Sequence, residues 1–117
     1  LTYTAWDLQP FAMECDFDCP PFQWAEDRRF LIRCELDAAF FLLYKIGRDD
    51  ADYIMETFTS VKRKDEAQFG EYRTKNTILS IYDDLVDAQR TEQALVSRLD
   101  PPPADPRCCH PAQQQFN

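Results

Sequence analysis

The sequence predicts an all-α chain with about four to five helices and a proline-rich, disordered carboxy-terminal tail. Two observations predict it. Aliphatic and aromatic residues recur at intervals of three and four, with no alternating run that reads as a strand, and acidic caps and glycine stops bracket the periodic stretches. At 117 residues, 44% hydrophobic and 14% aromatic, the chain has the material for one small core.

Leu1, Ala5, Leu8 and Ala12 share one helical stripe, which Pro10 kinks or divides. "DFDCPPFQW" reads as an extended loop, since Pro20 and Pro21 remove two donors and bias their predecessors away from helix. A helix is expected from Ala25 to about Ile46, with Glu26 and Asp27 in its first turn, where the dipole favours them. Its "AAFFLLY" stretch is apolar nearly all round and must be covered, by this chain or by a larger protein. Gly47 closes that helix; Asp49 or Asp50 caps the next, whose apolar face is Tyr53, Ile54 and Phe58. Ser60 caps a short helical turn that Gly70 ends in a left-handed conformation. Ile78, Leu79, Ile81, Tyr82, Leu85 and Val86 then line one stripe of a last helix expected to reach Ser97. These elements make residues 1–98 a helical domain and residues 99–117 a flexible proline- and glutamine-rich tail.

No run approaches the ~20 apolar residues of a membrane span, and no basic-then-apolar secretory leader opens the chain. A cytoplasmic segment is expected, and Leu1 in place of Met suggests a piece of a longer polypeptide. The five cysteines are then reduced thiols. Cys15, Cys19, Cys108, Cys109 and His110 could in principle supply a tetrahedral zinc site, but neither half has the spacing of a zinc knuckle, and Cys34 reads as core. Only Gly47 and Gly70 are present, too few for a phosphate- or dinucleotide-binding loop, and the sole histidine lies in the tail. Asp65, Glu66, Glu71 and Lys75 hold the ingredients of a magnesium-dependent nuclease at poor spacing; an ion pair between Glu71 and Lys75 is the simpler outcome.

Formal net charge is −8, yet residues 62–75 carry five basic side chains, Lys62, Arg63, Lys64, Arg73 and Lys75, against Asp65, Glu66 and Glu71, a local +2. An acidic body with one basic edge suits a module that touches phosphate at one surface only, as part of a larger protein that supplies more of the field, with Gly70 admitting close approach and Tyr72 stacking or packing in the junction. The same charges also suit a solvated face laced with ion pairs.

"LTYTAWDLQPFA", "PPFQWAEDRRFLIRCELDAAFFLLY", "RDDADYIMETF", "VKRKDEAQFGEYRTKNTILSIYD" and "LDPPPADPR" together resemble the carboxy-terminal region of restriction–modification proteins with an N6-adenine DNA methylase domain, including fused type II enzymes and the methylases of BREX and DISARM phage-defence systems. The resemblance spans nearly the whole chain. It implies a parent protein that methylates adenine with S-adenosylmethionine, through a glycine-bearing cofactor motif and an Asn-Pro-Pro-Tyr motif. Neither occurs here: "DPPPA" at Asp100 lacks both the Asn and the aromatic. The implied role is therefore non-catalytic, with no cofactor in this segment, the rest of the methylase chain and DNA as partners, and Lys62, Arg63, Lys64, Tyr72, Arg73 and Lys75 as the DNA-contacting set. The pattern departs from the family at Cys19, where a glycine is usual, at "CCH" after Arg107, and at Thr59, where a proline is usual. A stand-alone helical protein-interaction adaptor or a gene remnant, without DNA contact, is the alternative.

Overall fold

The computed structural model describes residues 1–94, 96–102 and 104–111. It is all-α: five helices form and no strand is present among the described residues. The chain divides into two compact units, Leu1–Arg29 with Arg98–Asn117, and Phe30–Ser97; the division falls within a helix.

In the first unit the expected stripe from Leu1 does not become one helix. A 3-10 turn, Trp6–Leu8, leads into α1 (Gln9–Glu14), with Pro10 in its first turn. Proline is accepted there because its missing N–H would lack a partner anyway, so Pro10 opens a helix rather than kinking one. Of the stripe only Ala12 is buried, while Leu1 and Leu8 stay exposed. The loop that follows packs by its rings, with Tyr3 edge-on to Phe17 and Phe22 at 6.0 and 6.5 Å between centroids.

The proline-rich carboxy-terminal segment is held in part. Phe22 and Cys109 form an isolated antiparallel bridge; Gln23 N–H donates to the Cys108 carbonyl and His110 N–H to the Pro21 carbonyl, both at 2.7 Å. Arg28 donates to the Pro101 carbonyl at 2.5 Å and the Pro102 carbonyl at 3.3 Å, and Leu99 is buried. Prolines keep their carbonyl acceptors while losing donors, which suits them to a guanidinium. Residues 112–117 lie outside the described residues.

The second unit packs around α5 (Arg73–Thr91), whose Ile78, Leu79, Ile81 and Tyr82 are buried at the expected helical spacing. Leu85 is half-buried against the core, while Val86, at the end of the expected stripe, is exposed. α2 (Glu26–Leu43) lays Cys34 and Ala38, with Phe30, Phe41 and Leu42 at their margin, against this core. Burial pushes the Cys34 thiol up to about 12, as expected of core sulfur.

Gly47 does not close α2. Lys45 adopts the left-handed conformation (φ 58°), Lys45 N–H donates to Leu42 O and Ile46 N–H to Phe41 O, a Schellman termination without glycine. Gly47 is extended and serves as N-cap of α3 (Arg48–Glu56), with Asp49 and Asp50 in the first turn instead of at the cap. The face of α3 is also rotated from expectation. Ala51 and Met55 are buried and Ile54 is half-buried, whereas Tyr53 is 73% exposed and Phe58 is exposed. Ala51, fully buried, lets α3 approach α5 closely, and that neighbour selects which apolar residues turn inward.

α4 (Thr59–Phe69) starts one residue before Ser60 and ends, as expected, at Gly70 in the left-handed region (φ 75°). α5 stops at Thr91, short of Ser97, because Glu92 turns left-handed (φ 55°) and Gln93 N–H reaches back to Ala88 O. Ser97 instead donates its hydroxyl to Glu35 of α2 at 2.8 Å. No helix among the described residues is long and apolar enough to cross a membrane.

Candidate nucleic-acid interface

The basic stretch occupies α4, the three-residue turn Gly70–Tyr72 and the first turn of α5. The fold separates its cations into two groups. Asp52 and Glu56, one turn apart on α3, face Lys75, whose Nζ donates to Glu56 Oε1 at 2.6 Å and Asp52 Oδ1 at 3.1 Å. Glu56 also accepts from Lys62 Nζ at 2.7 Å through its other oxygen. One carboxylate thus bridges two ammonium groups, from α4 and α5. The bonds from Lys62, then Lys75, hold the Glu56 carboxyl below its ordinary range, and the bond to Glu56 raises Lys75.

Arg73 is engaged through rings. Its guanidinium carbon lies 3.9 Å from the Phe30 centroid and 4.5 Å from that of Phe69, so the cation rests between α2 and the end of α4. Tyr72 is buried, 5% exposed, and its hydroxyl donates to the Met55 carbonyl at 2.7 Å. It packs; it is not placed to stack on a base. Asp65 Oδ2 accepts from the Thr74 backbone N–H at 2.7 Å, capping α5 from a distance because Tyr72, its N-cap residue, has no suitable oxygen.

Arg63 and Lys64 form the second group. Both are exposed on α4, and neither side chain makes an ion pair among the described residues. The six residues singled out in the sequence are therefore neighbours in the fold, but only these two present their charge outward. The internal partners Asp52 and Glu56 were missed in the sequence because they lie in α3, ahead of the basic stretch; their spacing of four on a helix was the available signal.

Asp65, Glu66, Glu71 and Lys75 are not brought to one point, since Lys75 turns to α3 and Asp65 to the start of α5. The expected Glu71–Lys75 pair is absent. The bridge at Phe22 does draw Cys108 and Cys109 to the loop carrying Cys19, yet among the described residues no group of three metal-ligating side chains could hold an ion. A Cβ at Gly47 or Gly70 would meet nothing within 4 Å, so neither glycine marks a close backbone approach within the fold.

Comparison with protein-family models, with curated proteins and with solved structures finds no match to this chain.

Proposed function

We propose that this chain is the non-catalytic helical carboxy-terminal segment of a site-specific adenine DNA methyltransferase of a restriction–modification or phage-defence system, acting in the cytoplasm. It packs on the catalytic or target-recognition domain and touches the DNA backbone along α4. The observation that carries the supporting role is the outer face of α2. Leu36, Phe40, Leu43 and Tyr44 recur at helical spacing and are 45, 52, 72 and 71% exposed, with the Phe40 and Tyr44 rings stacked at 6.2 Å. Four large apolar side chains aligned over two helical turns leave an uncovered surface of the kind that marks a protein interface. The family resemblance names the occupant: the methylase domain to which such a segment is attached. The methyl donor and the target base belong to that domain.

The reading frame encoding Leu1 tests this first. In-frame cofactor and Asn-Pro-Pro-Tyr motifs upstream are expected; a frame without them overturns the methylase assignment. In a protein carrying both parts, Phe40→Glu with Leu43→Glu should loosen the segment from the methylase domain, read as new protease sensitivity at the junction. Alone, the 117 residues should transfer no tritiated methyl group from S-adenosylmethionine to DNA and should bind an apolar dye.

The internal pairing of Lys62, Arg73 and Lys75 favours a second reading, an adaptor that acts through the α2 face without DNA contact.

A further inference from the structure

We infer that DNA phosphates are held by one side of α4, formed by Thr59, Ser60, Arg63, Lys64 and Gln68, and that Lys62 and Arg73 fasten this helix, and Lys75 its neighbour α5, without touching DNA. The inference rests on the DNA-contact part of the proposed function and moves the contact to different residues.

Helical spacing carries it. Positions 59, 60, 63, 64, 67 and 68 fall on one side of an α-helix, and all six are exposed. α4 buries no residue at all, so this side is not the back of a packed face. Apart from Ala67, each of these side chains ends in a hydrogen-bond donor, two of them cationic, and the one carboxylate that borders them is Glu66, three residues on from Arg63. Of the acids of α4, Asp65 is fastened to the Thr74 amide, and Glu66, four residues on from Lys62 and three from Arg63, lies between these two cations on the helix surface. The side chains of Thr59, Ser60, Arg63, Lys64 and Gln68 make no hydrogen bond or ion pair among the described residues, so their donors remain available.

The same composition selects the partner. A protein-binding patch draws its energy from buried aromatic or large aliphatic anchors, and here the largest apolar residue is Ala67. Phosphate oxygens need cations, hydroxyls and amides, the groups this side offers. A negatively charged body limits attachment to this one helix, so contact is weak, salt-sensitive and independent of base sequence.

The test is fluorescence anisotropy of a labelled duplex titrated with the 117-residue chain between about 50 and about 200 mM salt. Binding that falls with salt is expected, equally for duplexes of unrelated sequence. Arg63→Ala with Lys64→Ala should reduce the logarithmic salt slope by up to about 1.8, at roughly 0.9 per phosphate contact. Gln68→Ala should weaken binding with the slope unchanged, and Lys62→Gln should leave both unchanged. Circular dichroism should show the double variant as helical as the parent. The proposal is overturned if the chain does not bind duplex at the lowest salt, if the double variant binds as the parent does, if Lys62→Gln lowers the slope as much, or if polyglutamate competes as well as DNA. Its failure differs from that of the methylase assignment: an upstream frame without methylase motifs leaves α4 binding intact, and a methylase frame with no dependence on Arg63 and Lys64 removes only this inference.

Discussion

α4 and α5 are consecutive helices separated by three residues, yet they do opposite work. α5 buries Ile78, Leu79, Ile81 and Tyr82, while α4 buries nothing and is held at its flanks by Lys62–Glu56, by Asp65 at the Thr74 amide and by Phe69 against Arg73. Stability resides in the helix with apolar periodicity, and the helix without it is free to offer side chains to a partner. Polar attachments near the surface hold a helix in place but contribute little energy each, so α4 can be altered without loss of the fold.

The sharpest challenge to that contrast is a pair of truncations. Ile78→Ala, at a fully buried position, should cost about 2–5 kcal/mol in chemical denaturation, whereas Val61→Ala on α4 should stay within about 0.5 kcal/mol. Similar costs would show that α4 belongs to the core. Next is Tyr72→Phe at the joint between the two helices. It removes one of the two bonds to the Met55 carbonyl, which keeps the Phe58 N–H at 3.2 Å, and should cost about 0.5–1.5 kcal/mol with the fold retained; no loss would mean that the hydroxyl bond is idle.

The two helix stops make a smaller, signed comparison. α4 ends on glycine in the left-handed region and α5 on glutamate in the same region. Gly70→Ala should therefore destabilise by about 1 kcal/mol and Glu92→Gly stabilise by a similar amount, since only the glycine carries no Cβ penalty there. Thermal melts that move in the same direction for both would contradict these stops.

The dependence on pH separates core from brace. The Cys34 thiol has a raised pKa in the fold, so its contribution is complete below the unfolded value of about 8.5 and is lost as pH rises towards about 12. Stability should decline through that window, and Cys34→Ala should flatten the decline. Glu56 has a lowered pKa, so its contribution is present above about 4.3 and disappears as pH falls through its folded value. Acid titration of stability should show a weak step that Glu56→Gln removes. The smallest effect is expected of Arg63→Ala with Lys64→Ala, which should leave the midpoint of unfolding within about 0.5 kcal/mol.

Much of this was legible in the amino acids. The all-α class, the stripe of α5, the left-handed stop at Gly70 and Cys34 as core follow from local periodicity and backbone preference, which neighbours in sequence decide. The excess of positive charge between Lys62 and Lys75 was equally plain. Which of those charges faces outward was not, because the groups that neutralise Lys62 and Lys75 sit on α3, and only packing brings Asp52 and Glu56 beside them. The rotation of α3 onto Ala51 and Met55, and the stops at Lys45 and Glu92, were hidden for the same reason. A helix turns inward whichever side fits its neighbour, and a non-glycine residue accepts a strained conformation where the contacts around it outweigh the cost, so both outcomes depend on residues far away in the chain.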